Sequence, residues 1–359
     1  MIKLPWRSVI LIVLTLSLLI ISWFILLSAG AGDRDIWASK QIYPGIFALA
    51  LAVLISMIQT KSFYNLSYYL LALCIVLLII SDYAGHTAMG AQRWLKLGFI
   101  TIQPSEITKI GVIMALSRSF SNMSYEQISK LRNLITPLLV VLVPVILILK
   151  QPNLGTSTII ILMSSTIFFV AGVRIWKFAL VVLSGVISMP IIWSFMHDYQ
   201  RRRVMTFLNP EKDLLGDGYN IMQSKIAIGS GGLYGKGMLN GSQVQLSFLP
   251  EKHTDFIFTI LAEEWGFYGV ILVLGLYFFM ILIIYSIAFS AKNTYSKLLC
   301  TGVASLLFFH LFINIGMISG LLPVVGTPLP LLSYGRSNLI TTIISIGLVF
   351  NADIQKKKL

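Results

Sequence analysis

The chain has 359 residues, 57% hydrophobic and only 11% charged, with a formal net charge of +13. Soluble domains carry about 25% charged residues and need polar surface to face water, so this composition excludes a single soluble domain, a disordered chain and a collagen-like one. On a soluble protein such a basic balance would first suggest nucleic acid, but here the cations are scattered among apolar runs, where they set orientation in a membrane.

A membrane-spanning helix needs about 20 mostly apolar residues. In chain order the sequence predicts ten such runs: Ser8–Ala29, Tyr43–Ile58, Leu66–Ser81, Ser105–Phe120, Leu134–Leu149, Thr156–Gly172, Phe178–Phe195, Phe267–Phe289, Leu298–Ile318 and Leu331–Phe350. The shorter ones imply tilt or partial burial in protein. The first run follows Lys3 and Arg7, as a secretory signal would, but it exceeds the roughly 7–15 apolar residues of a signal core and reads as a resident helix. Cys74 and Cys300 lie inside apolar runs and read as small buried residues, with no disulfide framework. The expected fold is therefore all-α, a polytopic integral membrane protein.

Orientation follows from the loops. With the N-terminus inside, the inner segments hold Lys3, Arg7, Lys61, Arg118, Lys130, Arg132, Arg174, Lys177, Lys292, Lys297 and Lys356-Lys357-Lys358, joined only by Glu126 and Asp353. An even number of spans puts both termini inside. One outer connection, about 197–266 between the seventh and eighth spans, is far longer than the usual 4–6 residues, and such loops are functional or disordered. Its aromatic and aliphatic content argues for structure. Tyr219, Met222 and Ile226 recur at helical spacing with Gly229 as a stop, a stretch suited to lying in the interface plane, and Val244, Leu246 and Phe248 alternate as an extended piece would.

Chemistry-bearing residues are few. Gly231-Gly232-Leu233-Tyr234-Gly235-Lys236-Gly237 is no phosphate loop: Ser230 stands where the first Gly is required and Gly237 where Ser or Thr should follow the lysine, so the stretch reads as a close-packed turn. His86, His197, His253 and His310 have no paired-ligand spacing, and no serine or cysteine nucleophile motif occurs. Glu106 and Lys109, three apart in the fourth run, share a helix face. Pro104 suits the first turn and Glu106 suits its positive dipole, so the pair reads equally as an ion pair at a helix end or as part of a wet cavity.

The densest charged cluster is Phe248-Leu249-Pro250-Glu251-Lys252-His253-Thr254-Asp255-Phe256, which stops abruptly where an apolar run begins. Asp255 would sit at the water–lipid boundary in the first turn of a helix capped by Thr254, ionised and available as a general base, or simply as an ordinary helix-start aspartate. Glu263 and Glu264 follow, either interfacial or in the same cavity. Arg201-Arg202-Arg203 is an outer basic run that either snorkels to headgroups or clamps a phosphate.

At these positions the sequence resembles the SEDS family of bacterial peptidoglycan polymerases, across essentially the whole chain. The resemblance is carried by Arg93-Trp94, by Gln103-Pro104-Ser105-Glu106 with Lys109, and by Gln151-Pro152 with Leu154-Gly155-Thr156. It continues through Gly229-Ser230-Gly231-Gly232 with Gly235-Lys236-Gly237, Leu249-Pro250-Glu251-Lys252-His253-Thr254-Asp255-Phe256, and Gly326 with Pro328-Leu329-Pro330-Leu331-Leu332-Ser333-Tyr334-Gly335. The Pro-Glu-Lys-His and Gly-Lys-Gly forms match the rod-shape branch better than the division branch. Two departures stand out: Asn153 where the family has Asp, and Arg336-Ser337-Asn338 where it has Gly-Ser-Ser.

The resemblance implies one transmembrane domain over residues 1–359 and a glycosyltransferase joining lipid II units on the outer face of the cytoplasmic membrane during cell elongation. Asp255 would be the essential carboxylate, with Arg93, Glu106 and Lys109 lining its cavity and a class B penicillin-binding protein, the transpeptidase, as partner. Cations would serve the departing pyrophosphate: Lys109, Arg93 and Arg201, Arg202 and Arg203, with Lys252 and His253 beside the base. No cofactor motif is present; a divalent ion would serve the same charge. Two rival readings remain at this level, a lipid-precursor transporter and a non-catalytic scaffold for wall enzymes.

Overall fold

The computed structural model describes residues 5–88, 91–97, 100–196, 198–209, 216–242 and 252–355. His197, the proposed extended piece at Val244, Leu246 and Phe248, the Leu249-Pro250-Glu251 part of the charged cluster, Lys3 and the terminal lysine run lie outside the described residues.

The helices in chain order are α1 Trp6–Ala29, α2 Ala38–Met57, α3 Thr60–Ala84, α4 Pro104–Ser121, α5 Tyr125–Ser129, α6 Ile135–Lys150, α7 Leu154–Ala171, α8 Ile175–Ile187, α9 Met189–Phe195, α10 Asp198–Leu208, α11 Asp217–Ser230, α12 Ile257–Ser290, α13 Thr294–Ile318 and α14 Arg336–Gln355. Each of the ten predicted runs lies on one or two of them. Among the described residues, eight helical stretches are long and apolar enough to cross a membrane. Two predicted runs differ. The fourth, α4, is long enough but more polar, and nearly all its residues are buried. A helix enclosed by protein needs no lipid-facing apolar side, so its composition relaxes. The seventh is split at Ser188 into α8 and the short α9, which begins with a proline near its first position.

α4, α13 and α14 form the centre: 72% of the apolar window of α13 and 78% of that of α14 are buried, against 22% for α2 and α3, whose outward faces carry exposed apolar side chains suited to lipid. Close crossings use glycine. A Cβ on Gly347 of α14 would stand 2.8 Å from Ala52 Cα of α2, and one on Gly302 of α13 would meet Ile113 and Ile167 at 2.8 and 2.9 Å.

The sequence reading missed three short antiparallel strands, β1 His86–Ala88, β2 Ala91–Leu97 and β3 Ile100–Ile102, in the order β1-β2-β3 between α3 and α4. The large connection is also less of a loop than expected. It contains α10 and α11, and its last residues are already helical from Ile257. At Gly266 (φ 62, ψ −160) α12 breaks, and the predicted span continues beyond the break. Tyr219, Met222 and Ile226 do lie on one helix, α11, but it is docked on protein through buried Ile221, Ser224 and Ala227 rather than lying free, with Ser224 Oγ 2.7 Å from Thr259 Oγ1 of α12.

The glycine-rich turn after α11 fits the break in α12. Lys236 N donates to Glu263 O and Gly237 N to Glu264 O, both at 3.0 Å. In return Phe267 N donates to Gly232 O at 2.9 Å and Tyr268 N to Leu233 O at 3.2 Å. A Cβ at Gly235 (φ 78) would stand 2.1 Å from Glu264 O, and one at Gly231 2.1 Å from Ala262 O, so the backbones approach only because those side chains are absent.

Candidate active site

Asp255 lies in the turn before α12, half-buried. The expectation that Thr254 caps this helix is corrected: the helix starts after Phe256, with no side-chain cap. The physical reason is that the carbonyls just before it are committed elsewhere. Tyr334 N donates to His253 O at 2.9 Å, Ser333 Oγ to Thr254 O at 2.6 Å, and Asn314 Nδ2 to Asp255 O at 2.8 Å. Three successive residues are thus clamped from outside their own helix.

Two of the three donors, Ser333 and Tyr334, belong to the 319–335 connection between α13 and α14, and Asn314 to α13 itself. Ser333 Oγ also accepts from Leu329 N at 2.8 Å, and Tyr277 OH donates to Pro330 O. From α2, Gln41 Nε2 donates to Ser333 O at 3.1 Å and its Oε1 accepts from Gly335 N at 3.3 Å. From α1, Ser22 Oγ donates to Leu332 O at 2.7 Å. Trp37 stacks on His253 with ring centres 3.7 Å apart and meets Tyr334 edge-on at 4.8 Å. Between α1 and α2 an apolar groove of about 280 Å³, lined by Leu16, Ile20, Trp23, Ile42, Ile46 and Leu49, also reaches Ser22 and Gln41.

Glu106 and Lys109 are paired, as their spacing on α4 predicts: Lys109 Nζ is 2.8 Å from Glu106 Oε2, with side chains 1% and 4% exposed. The ammonium is also 2.8 Å from His310 Nε2, whose Nδ1 is 3.2 Å from Pro328 O. Nearby, Asn153 is the N-cap of α7: its Oδ1 accepts from Thr156 N at 3.3 Å and its Nδ2 donates to Ser105 Oγ at 3.4 Å. The neutral amide therefore caps the helix as a carboxylate there would. Ser337, in the second departure, accepts from Gln103 N at 3.1 Å, while Arg336 is exposed at the first residue of α14.

The other cations are spread out. Arg93, on β2, donates through Nε to Gln151 O at 2.8 Å and through its terminal nitrogen to Pro152 O, tying the strand to the α6–α7 turn. Arg201 donates to Trp193 O at 3.1 Å and Ser194 O at 2.9 Å, at the end of α9. Arg203 is half-buried on α10, and the side chain of Arg202 is not among those described. Lys252 and His253 share the turn with Asp255. Partial burial pulls the Lys252 ammonium below its ordinary value.

Glu263 and Glu264 are enclosed rather than interfacial: Glu263 Oε1 takes Lys236 Nζ at 2.7 Å and Ser242 N and Oγ at 2.9 and 2.8 Å, and Glu264 accepts from Ser28 Oγ. Among the described residues no group of three His, Cys, Asp or Glu is arranged to hold a metal ion. The sequence reading missed Trp37, Gln41, His310 and Asn314. The available signal was polarity: His310 and Asn314, four apart, interrupt an apolar run, and polar residues inside spans mark sites.

A family model described as cell cycle protein, FtsW/RodA/SpoVE, matches residues 3–358. Peptidoglycan glycosyltransferase MrdB of Escherichia coli (strain K12) is 44% identical over 353 residues, 97% of this chain and 94% of that protein. Probable peptidoglycan glycosyltransferase FtsW of Coxiella burnetii is 35% identical over 94% of each chain. A chain from a solved peptidoglycan synthase complex, described for its structural coordination of polymerization and crosslinking, superposes with a TM-score of 0.86 at 28% identity over 100% of both chains. Rod shape determining protein RodA of Thermus thermophilus superposes with a TM-score of 0.73 at 27% identity, over 99% of this chain and 97% of that one. With a family match over almost its full length and this fold, the chain belongs to the FtsW/RodA/SpoVE family of polytopic membrane proteins.

Proposed function

We propose that this chain is a peptidoglycan glycosyltransferase that polymerises lipid II on the outer face of the cytoplasmic membrane, with Asp255 as general base and a class B penicillin-binding protein as partner. The observation that supports this most is the clamp on residues 253–255. A carboxylate at the head of a spanning helix is held by three tertiary hydrogen bonds to its own and the two preceding carbonyls. Such rigidity suits a group that must meet a reacting atom at a defined angle.

In the reaction, a sugar hydroxyl attacks an anomeric carbon that carries the lipid pyrophosphate. The new C–O bond forms as the C–O bond to pyrophosphate breaks, and the hydroxyl proton passes to the Asp255 carboxylate. General-base help of this kind is worth about 10²–10⁴-fold. One base and no covalent nucleophile give a single displacement, turning an α-linked donor into a β-linked product. Lys252 and His253, two residues and one residue before Thr254 in the same turn, supply a cation and a ring donor for the departing pyrophosphate. The apolar groove between α1 and α2 suits a lipid tail arriving from the bilayer.

The test is purified protein with lipid II in detergent, where there is no membrane to cross. Wild type is expected to make glycan polymer and Asp255→Asn none, with both proteins equally stable. A full polymer yield from Asp255→Asn removes the base assignment. No polymer from wild type, even with its transpeptidase, favours a transporter or scaffold.

A further inference from the structure

The buried line from Glu106 through Lys109 and His310 to Pro328 has a direction. A lysine ammonium holds only donors, so it donates to His310 Nε2. That nitrogen is therefore the acceptor, the ring proton sits on Nδ1, and Nδ1–H donates to Pro328 O. One helical turn further along α13, Asn314 Nδ2 donates to both Asp255 O and Thr327 O, at 2.8 and 2.7 Å. Two carbonyl neighbours fix that amide's orientation. They leave Asn314 Oδ1 buried with no hydrogen-bond partner among the described residues. An unpaired buried acceptor is destabilising, a penalty that persists where geometry matters more than stability. Gly326 (φ 67) precedes these two carbonyls, and a Cβ on it would stand 3.3 Å from Asp255 Oδ2.

We infer that Lys109 and His310 are positioning residues for the reaction rather than substrate contacts. They fix the 326–328 backbone, which together with Asn314 sets the angle of the Asp255 carboxylate. The Lys109 ammonium is unsuited to a pyrophosphate: it is 1% exposed, and its charge is matched by Glu106 at 2.8 Å. His310, 2% exposed, is the link that converts the ion pair on α4 into a hold on the connection beside Asp255. The inference rests on the reading of Asp255 as the base.

The test uses two substitutions that each keep one arm of the imidazole. His310→Gln puts an amide oxygen near the Nε2 position, retaining an acceptor for Lys109 and losing the donor to Pro328. His310→Asn retains the donor and loses the acceptor. Both, and Lys109→Met, are expected to lower kcat for lipid II polymerisation by about ten- to a hundredfold while leaving KM nearly unchanged, as for a misplaced catalytic group. Hydrogen exchange of peptides covering 252–258 and 324–332 is expected to rise severalfold in His310→Gln, with α4 peptides unchanged. Wild-type turnover with wild-type exchange in His310→Gln would show that the histidine only offers Lys109 an acceptor, and a raised KM with normal kcat in Lys109→Met would make the lysine a substrate contact. Either result overturns the inference. Faster exchange with normal turnover would instead count against Asp255 as the base. If the His310 variants fail to fold, Gly326→Ala presses on the same carboxylate with the buried line intact. Its unchanged kcat would equally overturn the inference.

Discussion

At the scale of single residues, Asp255 differs from an ordinary helix-start aspartate in what holds it. Its carbonyl accepts from Asn314 of α13, the two carbonyls before it accept from Ser333 and Tyr334, and the helix begins only after Phe256. Lys252 adds a testable charge. Because partial burial lowers its value, it gives up its proton at a lower pH than an exposed lysine would. Activity that needs the cation is present below that value and is lost as pH rises through it. Arginine stays charged throughout, so Lys252→Arg is expected to move the alkaline limb of the rate profile to higher pH. Identical limbs in the two proteins would show that this charge is not used. Asp255, Glu106 and Lys109 were legible in the sequence because charge inside or beside an apolar run is conspicuous. Their partners were not: Lys109 and His310 are 201 residues apart, Asp255 and Asn314 are 59 apart, and no local pattern encodes either contact.

At the scale of elements, the helices were readable because their apolar faces dictate them, and the start of α4 followed from Pro104 and Glu106 as expected. The three strands were not readable: they are short, lie between spans, and owe their pairing to neighbours in space. The break in α12 was half-legible, since the glycines of the 229–237 turn announce close packing but not their target. Two glycines give opposite expectations. Gly235→Ala would force a Cβ to 2.1 Å from Glu264 O at a positive φ, and is expected to cost at least about 2 kcal/mol. Gly275→Ala, inside α12 with open space around it, is expected to stabilise by about 0.5–1 kcal/mol. Thermal unfolding in detergent ranks the two. Equal melting temperatures would show that the turn and α12 are not in contact.

At the scale of the molecule, the two ends differ in kind. One end gathers Trp37, His253, Asp255 and Tyr334. The other is basic: Arg118 donates to Tyr64 O and Asn65 O and lies over the rings of Tyr64 and Tyr68, and Lys177 Nζ is 2.8 Å from Ser129 O. A basin of about 980 Å³, with Lys61, Asn122, Lys292 and Gln355 among its walls, opens at this basic end. The bias of Lys and Arg is what supports the proposed orientation, with this end on the cytoplasmic side. Because Cys74 and Cys300 are buried, single surface cysteines can report sidedness. In intact cells a membrane-impermeant maleimide is expected to label Leu321→Cys, at a site 75% exposed, and to spare Asn122→Cys until the membrane is opened. The reverse pattern would invert the proposed orientation.

The seam between the 231–237 turn and the break at Gly266 has one more consequence. Its reciprocal bonds join main-chain groups only, and those repeat identically at every residue. These main-chain bonds by themselves would therefore let one side of the seam slip past the other by a residue and find equivalent partners. The empty Cβ positions at Gly231, Gly235 and Gly266 remove that freedom: shifting either strand would drive a side chain into the opposite backbone. Missing atoms, together with the Lys236–Glu263 ion pair, set the alignment of the glycine turn on its helix.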